Sequence, residues 1–279
     1  KGPAASLISS RGCPQVCTFC DRSVFGNHYR YFSEDYLCEL ISYLQKKYGI
    51  QHLVFVDDQF AAVRVRLLRF CEKMVQKNLK IYWNCDARVD SVDLELLRIM
   101  KRAGCWMISY GIESGSQEIL DRMKKGCTLD QVERAVRHTK EAGIRAKGLF
   151  MIGYPEETEE TLRQTLSLIL RLPLDELNLS FLTPYPGTEI YHRVRQSPGF
   201  VEDWSRMNAM NCLLQPERIS KAALEKAHNK IIRKFYTRPA VTFSYLSLLL
   251  RSPENCSRLT SGLSRWLQNR GSPKMEGMG

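Results

Sequence analysis

Three cysteines within eight residues are the part of the sequence whose types and spacing most clearly indicate chemistry. Cys13, Cys17 and Cys20 form a C-x3-C-x2-C pattern in a short loop. Thiolates this close can converge on a metal, and a structural zinc ion would need a fourth ligand, for which His28 is the nearest candidate. An iron–sulfur cubane usually takes four cysteines, so three would leave one iron open to a substrate or cosubstrate. Buried cysteines without a metal are the remaining alternative.

The other seven cysteines lie singly in apolar segments, where cysteine behaves as a small hydrophobic residue. A chain of 279 residues with this pattern does not resemble a small disulfide-stapled domain, so we expect a reducing, cytoplasmic location. No run of about 18 apolar residues occurs, and no transmembrane helix is expected. The first residues contain neither an initiator methionine nor a signal peptide, which favours an excised piece of a longer protein.

Short apolar segments alternate with amphipathic ones through most of the chain, and these elements must position the cysteines. The predicted strands are Ala5–Ser9, His52–Val56, Ile81–Cys85, Trp106–Tyr110, Ala146–Ile152 and Glu176–Leu182. The predicted helices are Ser33–Lys47, Val63–Lys77, Val92–Ala103, Thr128–Ala142 and Glu157–Leu172. Strict alternation favours an α/β fold with a parallel sheet and right-handed crossovers. Because six units are too few for a closed eight-stranded barrel, we expect a partial (β/α)6 barrel of the TIM type, with a flat doubly wound sheet as the alternative.

The alternation ends after Thr188, which divides the chain into three predicted regions. Residues 1–190 are expected to form the core barrel. Residues 191–250 are expected to form a helical, basic C-terminal extension. Residues 251–279 are polar and contain many Gly and Ser, so we expect a disordered tail.

Polar and small residues follow the later predicted strands, at the sheet edge where both candidate folds place their active sites. They are Asp57, Asp58, Asn84, Arg88, Glu113, Gly153 and Pro155. Adjacent carboxylates can bind an ammonium group, and an Asn with an Arg can bind a ribose or a carboxylate. From the residues alone, a solvated loop is the alternative for the two aspartates. A salt bridge of Arg88 with Asp86 or Asp90 is the alternative for the third strand end.

The cysteine motif, C-x3-C-x-aromatic-C after a first strand, resembles the signature of the radical S-adenosylmethionine (SAM) superfamily. The resemblance implies a [4Fe-4S] cluster on the three cysteines, with its unique iron chelated by the amino and carboxylate groups of S-adenosyl-L-methionine. One electron then cleaves SAM to methionine and a 5′-deoxyadenosyl radical, which abstracts hydrogen from an unactivated carbon. Phe19 matches the aromatic position that packs by the adenine.

The resemblance also gives roles to residues at later strand ends. Asp57 and Asp58 stand where simple members of the superfamily have Gly-Gly-Glu and bind the SAM amino group. Glu113 corresponds to a contact with the SAM ribose or carboxylate. Lys125 corresponds to the basic partner of the SAM carboxylate, with Lys124 as its competitor and compensation of a helix dipole as the alternative for both.

The turn from Gly153 to Thr158 resembles the superfamily's adenine-binding turn, which makes Gly153 and Pro155 candidate cofactor contacts. Together with the Thr-Pro-x-Pro-Gly-Thr string that ends at Thr188, it is similar to the cobalamin-binding-domain-associated subgroup. That subgroup includes methyltransferases and the anaerobic magnesium-protoporphyrin ester cyclase. Its members usually carry an upstream cobalamin domain, which we predict is missing here. The resemblance therefore implies cobalamin, held by a domain outside this chain, and C-methylation, cyclisation or a related rearrangement.

The implied partners are a small-molecule substrate and a one-electron reductant such as flavodoxin or ferredoxin. A lipid and a tetrapyrrole are the candidate classes of substrate. Two other functions remain as alternatives, a radical SAM tRNA methylthiotransferase and a non-catalytic metal-binding module. The basic C-terminus favours the first of these, because basic segments bind the phosphates of a nucleic-acid substrate. However, no second cysteine triplet and no small β-barrel RNA-binding domain can be recognised in the sequence, which disfavours an RNA substrate.

Most of the net charge of +11 lies near the C-terminus, where twelve Lys and Arg accompany four Asp and Glu from Glu217 onward. Pro216–Tyr236 has the pattern of a basic amphipathic helix, and the apolar Val241–Leu250 is too short to span a bilayer. A basic amphipathic segment of this kind can lie on an anionic membrane, which predicts a peripheral membrane contact. A helix packed on the edge of the barrel is the alternative.

Overall fold

The computed structural model describes residues 2–250, with side chains described through residue 245. The main sheet consists of β1 (Ala4–Leu7), β4 (His52–Phe55), β5 (Tyr82–Ala87), β6 (Cys105–Glu113), β7 (Arg145–Ile152) and β8 (Glu176–Phe181). A separate antiparallel ribbon consists of β2 (Ser10–Arg11) and β3 (Arg30–Tyr31). The helices are α1 (Glu34–Tyr48), α2 (Arg64–Gln76), α3 (Leu94–Arg102), α4 (Gln117–Arg122), α5 (Leu129–Glu141), α6 (Glu159–Arg171), α7 (Glu189–Val194), α8 (Lys221–Tyr236) and α9 (Pro239–Leu250).

All six predicted strands and all five predicted helices of the core are confirmed, with ends that shift by at most three residues. Helix α5 begins at Thr128 as predicted, because the Thr128 and Gln131 side chains form a capping box. The C-terminal helix begins later than the predicted Pro216. The Ser220 hydroxyl accepts a hydrogen bond from the Ala223 amide, so Ser220 marks the helix start.

The six strands of the main sheet are all parallel and stand in sequence order, β1-β4-β5-β6-β7-β8. Every crossover moves in the same direction along the sheet. Because crossovers between parallel strands are right-handed as a rule, this order places the helices between the strands on one face. A doubly wound sheet reverses direction and places helices on both faces. The observed order therefore confirms the predicted α/β fold with a partial (β/α)6 barrel, since β1 and β8 of the described sheet are not paired with each other, and it differs from the doubly wound alternative.

An aromatic cluster forms the core between the sheet and α2. Trp83 is fully buried, and its ring centroid lies 5.4–6.0 Å from those of Phe55, Phe60 and Phe70. Each such side chain contributes about 1.5–3 kcal/mol on burial. Six of the seven cysteines outside the motif are buried as predicted, and Cys256 lies outside the described residues.

Contacts within the chain separate a unit of residues 1–233 from a unit of residues 234–279. The first unit contains the whole sheet. The second is described through α9, and the tail predicted for residues 251–279 lies outside the described residues. Among residues 2–250, no helix has both the length and the apolar character needed to cross a membrane.

Candidate active site

The cysteine loop follows β2 and is fixed by contacts near its middle. The Thr18 amide donates to the Met123 carbonyl at 3.0 Å, and the Ile190 amide donates to the Thr18 carbonyl at 3.0 Å. The Thr18 hydroxyl is 3.1 Å from that of Tyr154. Phe19 packs on an apolar cluster that includes Met123, Tyr154 and Ile190. The loop that carries the three thiols is thereby held against α4, the β7 turn and α7.

A cavity of about 280 Å³ lies between this loop and the carboxyl ends of β5 and β6. All three motif cysteines line it, together with most of the residues that the sequence singled out. The site residues predicted from the sequence that line this cavity are Cys13, Cys17, Phe19, Cys20, Asp58, Arg88, Glu113 and Lys125. Asp57, Asn84, Gly153 and Pro155 are not among the lining residues of this cavity. The structure thus brings together residues that are 112 positions apart in the sequence, from Cys13 to Lys125.

The three thiols differ in their acidity. A hydrogen bond with Cys20 is the largest influence on Cys17, and together with the charges of Lys125 and Arg88 it lowers the Cys17 pKa to about 6 against the opposing effect of burial. The same hydrogen bond raises the pKa of Cys20, and burial raises the pKa of Cys13. Because the thiolate is the form that binds metals, the nearby charges of Lys125 and Arg88 favour metal binding at the Cys17 and Cys20 pair of thiols.

Asp57 and Asp58 have separate environments although they are adjacent. Asp57 is buried, and its two oxygens accept hydrogen bonds from the Ser9 amide at 2.6 Å, the Ser9 hydroxyl at 2.5 Å and the Ser10 hydroxyl at 2.6 Å. Asp58 lies at the cavity, where one oxygen accepts from the Gly12 amide at 2.8 Å. Asp58 is therefore the carboxylate of this pair that a ligand in the cavity can reach.

Glu113 and Lys125 form a buried ion pair at the cavity wall. Lys125 Nζ lies 2.7 Å from Glu113 Oε1, and the two side chains are 8% and 12% exposed, respectively. Burial lowers the pKa of Lys125, but the Glu113 charge and hydrogen bond outweigh it and the pKa is raised overall. Glu113 has a left-handed backbone, with φ of 69°, at a register shift in β6, which turns its side chain toward Lys125. Lys125 Nζ also lies 5.8 Å from the centre of the Phe19 ring.

Gly111 makes room for this pair. A Cβ atom at Gly111 would lie 2.7 Å from Glu113 Oε1 and 2.9 Å from Lys125 Nζ, closer than normal contact. Lys124, the competitor of Lys125, is instead half-exposed and pairs with Glu189 at 2.8 Å.

Arg88 is buried and holds the segment that carries Lys125. Its guanidinium donates to the carbonyl of Lys125 at 2.7 Å and to that of Gly126 at 3.4 Å. It also makes a two-pronged contact with Asp90 at 2.8 and 2.9 Å, so the salt bridge foreseen as an alternative is present, with Asp90 as the partner. Arg88 therefore both lines the cavity and positions Lys125.

Asp86 is a cavity residue that the sequence interpretation missed as a site candidate. Strand β5 extends to Ala87, two residues beyond the predicted end at Cys85. Asn84 therefore lies further inside the strand than expected, and Asp86 lines the cavity instead of Asn84. Burial raises the pKa of Asp86, while a Ser109 hydrogen bond and the Lys147 charge oppose that rise. The alternation of side chains along a strand was the signal available, and it depends on knowing where the strand ends.

The β7 turn that contains Gly153 and Pro155 is built around a buried carboxyl group. Glu157 accepts hydrogen bonds from the Gly153 amide at 3.2 Å and from the Thr161 hydroxyl at 2.5 Å. Burial raises its pKa to about 7. Gly153 has φ of 94°, which only glycine adopts readily. Pro155 lines a smaller polar pocket that also contains Arg122 and Arg193.

Comparison with known proteins decides the family. The Radical SAM superfamily profile matches residues 7–169, which is more than half of the chain. The chain belongs to the radical SAM superfamily. It is 32% identical over 86% of its length to an uncharacterized methyltransferase of Pyrococcus horikoshii, covering 52% of that protein. It is 30% identical over 83% of its length to the anaerobic magnesium-protoporphyrin IX monomethyl ester cyclase of Cereibacter sphaeroides, covering 38% of it.

A solved radical SAM structure has the same fold. The methyltransferase TsrM from Kitasatospora setae, with cobalamin and a [4Fe-4S] cluster bound, superposes with a TM-score of 0.67 at 22% identity, over 80% of this chain and 46% of that one. The chain thus spans about half or less of each of these three proteins. Radical SAM enzymes use a [4Fe-4S] cluster and SAM, act on a substrate and need a reductant.

The donor set of this radical SAM domain fits such a cluster. The three thiols line one cavity, and among the described residues no three His, Cys, Asp or Glu side chains lie close enough together to hold a single metal ion. His28, the fourth zinc ligand considered above, is not a lining residue. Thiolate sulfurs are the preferred ligands of iron–sulfur clusters, and Cys17 is already acidified.

Proposed function

We propose that this chain is the catalytic core of a cobalamin-dependent radical SAM enzyme that methylates or cyclises a small-molecule substrate at an unactivated carbon. The observation that carries the proposal is that the three motif thiols share one cavity with the buried Glu113–Lys125 pair. This shared space supports the proposal, because the sulfurs would bind the cluster and the charge pair would bind a zwitterionic cosubstrate.

Each cavity residue has a role in this proposal. Cys13, Cys17 and Cys20 hold the cluster, which when bound supplies the electron that cleaves SAM to methionine and a hydrogen-abstracting 5′-deoxyadenosyl radical. Asp58 offers its unoccupied oxygen to the SAM ammonium group. Lys125 pairs with the SAM carboxylate.

Three more residues complete the SAM site. Glu113 orients Lys125 and reaches the ribose, and Phe19 presents its ring to the adenine. Arg88 keeps the Lys125 segment in place through two carbonyl groups. Asp57 fixes Ser9 and Ser10 at the entry to the cysteine loop, and Gly153 and Pro155 shape the turn behind Phe19.

Cobalamin enters the proposal through the relatives. The names of two similar proteins describe a methyltransferase and a cyclase, and the TsrM structure contains cobalamin. We infer that a domain outside this chain would hold cobalamin, with residues 1–190 as the core and 191–250 as an extension. A tetrapyrrole is the substrate class that the cyclase favours, and a lipid is the other.

Reconstitution under anaerobic conditions tests the core of the proposal. The chain should bind about four iron ions per molecule and release 5′-deoxyadenosine from SAM when dithionite is added. Cys17→Ala should lose both, whereas Cys212→Ala, which removes a buried thiol outside the cavity, should keep both. Normal SAM cleavage by the Cys17 variant would contradict the proposed function.

The basic C-terminal region supports a separate test of peripheral membrane contact. Flotation with vesicles of phosphatidylserine and phosphatidylcholine should carry the chain upward more strongly than flotation with phosphatidylcholine alone. Equal flotation with both vesicles, or equal flotation after removal of residues 239–279, would count against the membrane contact and leave the radical SAM assignment intact.

A further inference from the structure

We propose that a surface beside the cysteine loop is the docking site for an acidic one-electron carrier protein that reduces the cluster. We call it the ribbon surface, and it consists of Arg11, Val24, Phe25, Arg30, Tyr31 and Phe32, which line a groove of about 390 Å³. The inference rests on the proposed function, because a carrier is needed only if the three thiols hold a redox cluster.

The ribbon surface exposes large apolar side chains of the kind that are usually buried in a protein core. Val24 is 75% exposed, and Phe25, Tyr31 and Phe32 are between 40% and 48% exposed. Contiguous apolar groups of this kind on a surface mark sites of interaction. The aromatic rings line a groove rather than a flat face, which gives a partner a shaped contact.

The charges of the ribbon surface indicate an acidic partner. Arg11 and Arg30 lie directly opposite each other in the antiparallel ribbon, and both are exposed. Like charges at such positions repel and weaken a strand pair. Neither guanidinium has a salt bridge with a carboxylate among residues 2–245. Carboxylates from a partner protein would neutralise the pair and remove this repulsion.

The position of the ribbon surface fits electron transfer. Val24 and Phe25 line both the groove and the cysteine cavity, so one layer of side chains separates a docked partner from the thiols. Arg11 is also two residues from Cys13 in the sequence. A redox partner at this site would therefore approach the cluster without entering the cavity that holds SAM.

The composition of the ribbon surface fits a transient redox complex. Electron-transfer encounters bury less than about 1,200 Å² and depend on charge for their association rate. Two unneutralised arginines around a few aromatic rings provide this combination of steering and contact. A permanent domain interface would be larger and more apolar at its centre.

The test compares two electron sources on one reconstituted protein. The variant R11E/R30E reverses both charges of the ribbon surface, and K101E/R102E makes the same change of net charge on α3, where both side chains are exposed. At limiting reduced flavodoxin and low salt, we expect R11E/R30E to form 5′-deoxyadenosine about tenfold more slowly than wild type. With dithionite its rate should match wild type, and K101E/R102E should match wild type with both reductants.

Salt and a neutral variant sharpen the test. R11Q/R30Q should lie between wild type and the charge reversal with flavodoxin, and the differences should shrink as salt screens the charges. Equal loss with dithionite and flavodoxin would overturn the inference, since the ribbon would then shape the cluster site itself. Unchanged rates with flavodoxin, or an equal loss in K101E/R102E, would overturn it as well. Wild-type protein that fails with dithionite would instead refute the proposed function.

Discussion

The carboxylates of the adjacent residues Asp57 and Asp58 bind different parts of the segment that leads into the cysteine loop. Asp57 accepts three hydrogen bonds from Ser9 and Ser10, while Asp58 accepts one from the Gly12 amide and faces the cavity. One aspartate therefore stabilises the entry to the loop, and the other has an oxygen left for a ligand.

Asp57→Asn should mainly reduce stability. The amide nitrogen of Asn would face the hydroxyl and amide donors of Ser9 and Ser10, where an oxygen of Asp57 now accepts. At least one of these buried donors would lose its hydrogen bond. We expect the free energy of unfolding to fall by about 1–3 kcal/mol. Urea denaturation followed by circular dichroism measures it, and an unchanged midpoint would contradict the role assigned to Asp57.

Asp58→Asn should mainly reduce the affinity for SAM. Its side chain is exposed to the cavity, so the loss of its charge affects a ligand more than the fold. We expect the dissociation constant of SAM to rise about tenfold with little change in the urea midpoint. Isothermal titration on the reconstituted protein measures the constant. A variant that binds SAM normally but unfolds early would reverse the roles of the two aspartates.

The Glu113–Lys125 pair should show strong coupling. Lys125→Met leaves a buried carboxylate without its partner and should lower the free energy of unfolding by about 3–5 kcal/mol. Glu113→Gln together with Lys125→Met should lose less than the sum of the two single variants, because neither charge then remains alone. Urea denaturation of the four proteins completes the cycle, and additive losses would mean that the 2.7 Å contact carries no coupling.

Arg88→Lys should loosen the segment that carries Lys125. Lysine keeps the charge, but its three N–H donors cannot replace the four hydrogen bonds that Arg88 makes to Asp90 and to two carbonyl groups, and we expect a loss of about 1–3 kcal/mol. Faster amide hydrogen exchange at residues 124–127 should accompany a weaker affinity for SAM. Asp90→Asn is the control, since it leaves the carbonyl contacts in place and should have the smaller effect.

Glu157 should make the protein less stable as the pH rises. Its pKa is raised from 4.5 to about 7 in the folded state, so between these values the folded chain binds more protons than the unfolded chain. The contribution of Glu157 to stability is then highest below about pH 4.5, falls as the pH approaches 7 and levels off above it, with a total cost of about 3 kcal/mol. Glu157→Gln should remove this slope. Urea midpoints of both proteins between pH 4.5 and 8 measure it, and parallel slopes would contradict the prediction.

The sequence predicted the sheet because its strands and helices are long enough to show periodicity, and because Thr128 begins α5 with a capping box. It also predicted which strand ends would carry charged residues, and Lys125, from the segment between α4 and α5, meets Glu113 at the end of β6. The ribbon escaped prediction because each of its strands has only two residues. Helices α4 and α7, of six residues each, escaped for the same reason.

The different environments of Asp57 and Asp58 could not be predicted from the sequence, because they depend on the exact residue at which the preceding strand ends. Adjacent residues beyond a strand point in different directions, and a change of one residue in the strand end exchanges their environments. Asn84 and Asp86 lie on the same face of β5, and which of them reaches the cavity depends on the residue at which the strand ends. Glu157 was hidden because its burial depends on helix α6 and on the turn at Gly153 folding around it.

The backbone bonds at Thr18 join segments that are made at very different times during synthesis. The three cysteines emerge from the ribosome before Met123 and Ile190, whose backbones bond Thr18 and which lie more than 100 positions further along the chain. Contacts between such distant segments form slowly. The cysteine loop therefore takes its final shape only after β8 and α7 have been synthesised. Iron delivered to a shorter nascent chain would meet three thiols on an unshaped loop, so cluster assembly should be a late step in the maturation of this protein.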